Sequence, residues 1–400
     1  PGPKLITSCH FSTMVKMVAL TESRQTESRT RKGNVYYKEN QHNSRHYRSL
    51  VLGALLIFKV AQRTMKVIID TDPGLDDAMA VLVALDAHKK GLIKILGVTL
   101  THGNTSLDNA ACNMMRTLTT VKMEKEQYAP FWNLIPQETH LSMAMMDLEM
   151  QNLNQIQTYH SFLKSMLSVL SHVSQEKILV CLLFSHRHCY NSRNIKTAYL
   201  LQLGEVVLIA LGPLTNVALA MRMDPSLGGN LKEIFIMGGN SEGLGNVTPC
   251  AEFNFHCDPE AAYTVLQECK CPTYLITWEL CLKRAELTLD WRKNVLGKVS
   301  TPEARLMNSI EAKSLSLYKY QTYIVCDQIA VAVAIYRNLI IASSDHYASV
   351  ELHGMFTRGQ MVVDYISAMN RKPNVTMVEK IDVEAFKKIL MVAFGHKVEM

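Results

Sequence analysis

The sequence predicts an α/β fold: an open, mostly parallel, Rossmann-like sheet with helices on both faces. Three observations carry this expectation. Short β-branched runs recur along the chain, each ends in a polar or glycine-containing loop, and each loop leads into a helical stretch. Repeated β-loop-α units bury a parallel sheet between two helical layers, and ligands then collect beyond the carboxyl ends of the strands.

The first unit is the sharpest. Val67-Ile68-Ile69 reads as a strand, Asp70-Thr71-Asp72-Pro73-Gly74 as a loop, and Asp76 to Leu82 as the start of a helix. Carboxylates in a first helical turn favour that start, because they face the positive end of the helix dipole. The second unit runs from a strand at Ile93 to Thr99, through His102-Gly103-Asn104, into an amphipathic helix from Leu107 to Leu118. Val206 to Leu211, Gly212-Pro213-Leu214-Thr215-Asn216 and Val217 to Met223 form the third, and Ile234 to Met237 with Gly238-Gly239 opens a fourth. Residues 65–400 are read as one domain containing an atypical segment at 128–203, which shows neither βαβ rhythm nor glycine turns. Residues 1–64 are expected to be a poorly ordered extension, since the first convincing strand follows them directly.

Composition narrows the function classes. Forty-two basic against 36 acidic residues leave a net charge of +6, and much of the excess lies before position 64. That distribution is not the basic stripe of a nucleic-acid face, so no nucleic-acid partner is expected. Ten cysteines without a close, even framework suit reduced thiols and a cytoplasmic location. Cys269-Lys270-Cys271 lacks the second ligand pair that a zinc site needs. The apolar run from Leu50 to Val60 is too short to span a bilayer, so no membrane partner is expected.

Asp70, Asp72, Asp76 and Asp77 fall within eight residues at the end of a strand. Carboxylates confined this closely raise one another's pKa and need protons or a cation to coexist. Calcium accepts six to eight oxygen ligands in flexible geometry, which suits such a cluster better than magnesium.

The run Val67-Ile68-Ile69-Asp70-Thr71-Asp72-Pro73-Gly74-Leu75-Asp76-Asp77-Ala78 resembles the signature of the inosine-uridine-preferring nucleoside hydrolase family. Further blocks follow in the family's order: Gly97-Val98-Thr99 through Asn104-Thr105, Ala210 to Asn216, Met237-Gly238-Gly239, Ala251-Glu252-Phe253-Asn254, Asp258 to Ala262, Cys326-Asp327 and Thr357-Arg358-Gly359-Gln360. The resemblance implies hydrolysis of the N-glycosidic bond of a ribonucleoside, a small-molecule partner, to ribose and free base. It implies Ca2+ held by Asp72, Asp77, Asp327 and the main-chain carbonyl of Leu211, with Asp72 as general base toward a calcium-bound water. Asp76, Asn104, Asn246, Glu252, Asn254 and Asp327 would bind the sugar. Relatives are often dimers or tetramers, so a homodimer or homotetramer is the corresponding expectation.

Two departures stand out. Many family members carry a histidine where this chain has Cys326, which is therefore the candidate leaving-group acid. The His/Gly/Asp-rich loop that covers the base in the family has no counterpart in 128–203, where His140, His160, His172, His186 and His188 are candidates by type alone. The alternative function is a catalytically impaired, calcium-dependent nucleoside- or ribose-binding relative. Asp70-Thr71-Asp72 also resembles the start of a haloacid-dehalogenase-type phosphohydrolase, but the Pro-Gly-x-Asp-Asp continuation and the missing downstream lysine argue against it. Asn104-Thr105-Ser106 and Asn246-Val247-Thr248 are glycosylation sequons on proposed sugar ligands, a further reason to expect the cytoplasm.

Overall fold

A computed structural model describes residues 64–121, 128–130, 178–181, 204–317 and 321–396. The expected extension lies outside the described residues apart from Thr64. So does the atypical segment apart from two short strands, and the five histidines named there lie outside as well.

The chain forms β1 (Met65–Thr71), α1 (Leu75–Lys89), β2 (Ile93–Leu100), α2 (Leu107–Thr120), β3 (Tyr128–Pro130) and β4 (Ile178–Cys181). It continues with β5 (Val206–Ala210), α3 (Thr215–Met223), β6 (Glu233–Met237), α4 (Phe253–Cys257), α5 (Pro259–Glu268) and β7 (Thr273–Ile276). Then come α6 (Pro302–Leu317), α7 (Asp327–Ile335), β8 (Ile340–His346), β9 (Ala348–Val350), β10 (Met361–Val363), β11 (Val375–Ile381) and α8 (Val383–Ala393).

A nine-stranded sheet has the order β8-β11-β7-β6-β5-β1-β2-β4-β3. Its pairs are parallel except β8 with β11, so one antiparallel strand closes an edge of an otherwise parallel sheet. The expected doubly layered parallel architecture is thus present. The segment that lacked rhythm contributes β3 and β4, which extend the sheet beyond β2 through pairs such as Gly97 with Leu179.

Alternation along the central strands builds both layers. Val67, Ile69, Val207 and Ile209 point into a core with α1, α2, α7 and α8. Ile68, Val206, Leu208 and Ala210 point into the opposite core with α3 and α5. Strands apolar on both faces belong in the interior of a parallel sheet. α1 and α7 are apolar nearly all round because each is buried, and alanine and valine along both let them pack closely.

The chain leaves β1 toward β2 on one side, while β5 pairs on the other, so the topological switch falls at β1. Loops on either side of such a point separate and open a crevice beyond the carboxyl ends.

Behind α1, α6 carries a buried ion pair. Arg292, fully buried in the short helix Leu289–Asn294, donates through Nε to Glu311 Oε2 at 2.8 Å and through Nη1 to Asn308 Oδ1 at 2.9 Å. Tyr323 donates its hydroxyl to Glu311 Oε1 at 2.6 Å. Removing one member strands the other charge in the interior. Glu311→Ala should therefore cost about 3–5 kcal/mol in urea unfolding, and a loss below about 1 kcal/mol would show that the guanidinium finds water instead.

Candidate active site

The carboxyl ends of β1, β2, β5 and β6 deliver the site. Asp70 anchors its base: buried completely, it accepts hydrogen bonds from Thr99 Oγ1 and, at 2.9 Å, from Asn216 Nδ2. Asn216 also donates to the Leu100 carbonyl at 3.0 Å, so one side chain ties the ends of β1 and β2 to the start of α3. Desolvation pushes the Asp70 carboxyl up to about 7.

Asp72 stands two residues on and is almost wholly buried. Its Oδ2 accepts from the Asn104 backbone N–H at 2.6 Å, while Oδ1 has no hydrogen-bond partner. Gly103 and Gly212 flank this carboxylate so tightly that a Cβ on either would overlap it. Both loops need glycine for space rather than for an unusual dihedral.

Helix starts supply the other carboxylates. Gly74 caps α1, and Asp77 reaches back to accept the Gly74 N–H at 2.9 Å, closing the first turn. Asp77 further accepts from Thr71 Oγ1 and, at 3.0 Å, from Asn104 Nδ2. A glycan on Asn104 would break that last bond. α7 packs against α1 and brings Asp327, its first residue, to the same place. Asp76, Asp77 and Asp327 present carboxylate oxygens within 4.8 Å of one another.

All four carboxyls are held above the usual range. Burial is the largest cause for each; Asp77 then raises Asp72 and Asp76, the latter to about 7, and Asp76, Asp77 and Asp72 raise Asp327. Among the described residues no lysine or arginine forms an ion pair with any of them. The donor set, all oxygen and strongly anionic, fits a hard divalent cation, and the unpartnered buried oxygen of Asp72 is a further ligand in waiting.

Above this floor lies a cavity of about 380 Å³. Asp76, Asn104, Leu211, Asn246, Glu252, Asn254, Cys326 and Asp327 all line it, so the predicted residues converge, with Asp72 and Asp77 beneath. Asn254 Nδ2 donates to the carbonyls of Leu211, at 2.8 Å, and Met237, at 3.1 Å, which leaves its Oδ1 free of these bonds. Glu252 is the N-cap of α4: its carboxylate accepts from the backbone N–H groups of Asn254, Phe255 and Gly239. Burial nevertheless raises Glu252 to about 7. Gly239, at φ +72°, turns between Met361 and Phe255 where no side chain fits.

Cys326 is buried at the N-cap of α7, and its thiol is raised well above its usual range by a hydrogen bond with Cys281, then by burial and by the neighbouring carboxylates. Cys281 belongs to a single π-helical turn, Leu280–Arg284.

Met237, Val247 and Phe253 fall within motifs quoted above, whereas Trp278, Glu279 and Ile324 lie outside them. Met237, Val247, Phe253, Trp278 and Ile324 form the apolar part of the wall. Glu279 is buried and accepts from the backbone N–H groups of Ser241, Glu242 and Leu244 at 2.6, 2.8 and 3.2 Å, pinning the loop that carries Asn246. Asn240 staples the same loop through Leu244, Cys250 and Met361. A signal for Trp278 and Glu279 does exist: they follow β7 at the carboxyl end, where every other site loop begins.

Comparison with known proteins agrees with this arrangement. The family described as inosine-uridine preferring nucleoside hydrolase matches residues 67–388. The pyrimidine-specific ribonucleoside hydrolase RihA of Salmonella arizonae is 29% identical over 329 residues, covering 82% of this chain and 97% of the relative. An uncharacterized protein of Schizosaccharomyces pombe, C17G8.02, is 29% identical over 333 residues, 80% of this chain and 90% of its own. The solved structure of an inosine-guanosine nucleoside hydrolase superposes with a TM-score of 0.59 at 26% identity, covering 83% of this chain and 99% of that one. A purine-preferring ribonucleoside hydrolase from Gardnerella vaginalis, with a TM-score of 0.57 at 20% identity and 82% and 98% of the two chains covered, shares the fold. With its strand-end carboxylates, its cavity and a match spanning most of its length, the chain belongs to the inosine-uridine preferring nucleoside hydrolase family, a family of N-glycosyl hydrolases.

Proposed function

We propose that the chain hydrolyses ribonucleosides with a calcium ion held by Asp72, Asp77, Asp327 and the Leu211 carbonyl, and with Asp72 as general base. The observation that carries this reading is the convergence of Asp76, Asp77 and Asp327, with Asp72 electrostatically coupled to them; all but Asp76 are buried, and among the described residues no lysine or arginine pairs with them. A bound calcium ion would offset two of their charges, orient a water and increase its acidity.

The chain's own residues divide the remaining work. Asp72 has one oxygen fixed by Asn104 and the other unpartnered, so it accepts a proton from water without first breaking a hydrogen bond. Asp76, Asn104, Asn246, Glu252 and Asn254 hold the ribose, whose vicinal hydroxyls require donors and acceptors at fixed angles. Asn254 also aims the Leu211 carbonyl, since its Nδ2 already occupies one side of that oxygen. Developing positive charge on the sugar in an oxocarbenium-like transition state is favoured by the anionic floor.

Cys326 fits a neutral contact better than an acid. Its thiol keeps its proton, which is engaged with Cys281 among carboxylates, so at the cavity it offers the departing base a neutral, polarisable sulfur. The described cysteines are all free thiols, and the Asn104 sequon is committed to Asp77; both support a cytoplasmic setting. No helix among the described residues is long and apolar enough to cross a membrane.

The direct test is incubation with inosine, uridine and cytidine, with and without calcium, followed by separation of free base from nucleoside. Base release that requires calcium is expected; calcium-dependent binding without release would establish the impaired binding relative instead. Asp72→Ala should abolish release, and retained turnover would remove Asp72 from the mechanism. Calcium at a hundredfold excess over its Kd should stabilise the fold by about 2.7 kcal/mol, read as a higher melting temperature that chelator reverses; a melting temperature indifferent to both would refute the ion site. Cys326→Ala should lower kcat by roughly tenfold or less, short of the 10²–10⁴ a positioned acid contributes. A loss of 10² or more would make the thiol the leaving-group acid.

A further inference from the structure

Outside the catalytic crevice, a second cluster of reactive groups sits at the opposite end of the sheet. α5 ends at Glu268 and β7 begins at Thr273, and the turn between them carries Cys269 and Cys271. Their sulfurs are 3.4 Å apart, in a hydrogen-bonding contact in which either can be the donor, and the Thr273 hydroxyl lies 3.3 Å from Cys269 Sγ and 3.1 Å from the Cys271 carbonyl. Cys269 is part-exposed while Cys271 is buried. The turn is rigidly placed: the Cys269 N–H bonds the Val265 carbonyl, and the N–H groups of Lys270 and Cys271 both bond the Gly228 carbonyl at 2.9 Å. Gly228 packs so closely on this turn that a Cβ there would lie 2.9 Å from the Glu268 carbonyl oxygen.

The surroundings divide the labour between the two thiols, the outer one flanked by a sulfur and a hydroxyl and the inner one buried. The Cys271 S–H and then the Thr273 hydroxyl lower Cys269 to about 7, against the opposing effect of burial, while Cys271 is raised by holding the shared proton. The carboxyl end of α5 disfavours negative charge here, so these hydrogen bonds are what stabilise the thiolate. An accessible thiolate beside a protonated partner has the layout of an attacking and a resolving thiol.

We propose that Cys269 and Cys271 form a redox-active dithiol that reduces low-molecular-weight disulfides, closing an intrachain Cys269–Cys271 disulfide. The Cys269 thiolate attacks one sulfur of the small disulfide, forming a mixed disulfide and expelling the first small thiolate. Loss of the negative charge on Cys269 removes what held the proton on Cys271. Cys271 then gives up its proton, and its thiolate attacks Cys269 Sγ and expels the second small thiolate. The Cys271 proton passes to one small thiolate, and the other takes from solvent the proton that Cys269 released in becoming a thiolate, so two protein thiols are oxidised and one small disulfide is reduced to two thiols. The sulfurs need close only from 3.4 Å to about 2.0 Å. Because the turn precedes β7 while the nucleoside cavity lies beyond its other end, this chemistry is separate from glycosidic cleavage.

The test uses the full chain, reduced and then equilibrated across fixed ratios of reduced to oxidised glutathione, acid-quenched, alkylated and mapped by peptide mass spectrometry. Cys269 and Cys271 should lose alkylation together, and Cys271→Ser should instead accumulate glutathione on Cys269. Peptide mapping is needed because Cys281 and Cys326 also touch. Full alkylation of Cys269 and Cys271 at every ratio, oxidation confined to Cys281 and Cys326, or no adduct on Cys269 in Cys271→Ser would each overturn the proposal. None of these readouts depends on nucleoside turnover, so either function can fail without the other.

Discussion

Electrostatic repulsion among Asp72, Asp76, Asp77 and Asp327 is the constraint around which the rest of the molecule is arranged. At the 4.8 Å limit within which three of them lie, each ionised pair repels by about 3.5 kcal/mol at an effective dielectric of about 20. Two helix starts, of α1 and α7, face the cluster, but such an end contributes only about 0.3–1 kcal/mol, and up to about 2 in favourable burial. Helix dipoles therefore soften the repulsion without removing it. Protons or a divalent ion must do the rest, and at neutral pH the ion is the solution that leaves a carboxylate free to act as a base.

Holding such a cluster requires a fold that cannot relax away from it. The switch point at β1 places Asp70 and Asp72 where the loops part, and Asn216 locks the ends of β1 and β2 to the start of α3 through one amide. Gly103 and Gly212 close on Asp72 from two other strands. α7 cannot slide on α1 without breaking an interface of small, fully buried side chains. Each element is thus fixed by packing that is remote from the chemistry, and the repulsion is carried by the core as a whole.

Most of this was legible in the sequence because its signals are local. A β-branched run, a glycine loop and an acidic helix start lie within a dozen residues of one another, so β1, β2, β5 and β6 and the residues at their ends could be placed one by one. Asp327 was legible only by resemblance, since nothing in its own neighbourhood says that α7 packs on α1. Trp278 and Glu279 had only the weak signal of following β7, because that strand is four residues long and a carboxylate that caps a loop thirty-eight positions away has no sequence period. Glu252 shows a subtler limit, for it lines the cavity while its carboxylate also holds three backbone N–H groups, a double role that type and spacing do not display.

The cavity joins two surfaces of different origin. Its floor is built from strand ends and helix starts, whose positions the sheet dictates. Its apolar wall, from Met237, Val247, Phe253, Trp278 and Ile324, is drawn largely from the segments between strands, and the loop carrying Val247 is held by the side-chain staples Glu279 and Asn240. A loop wall tolerates substitution that the floor does not, because moving it costs few buried contacts. Relatives named for pyrimidine nucleosides and for inosine and guanosine match this chain at similar identity. Differing names at similar overall identity are what a shared sheet with variable connecting segments would produce.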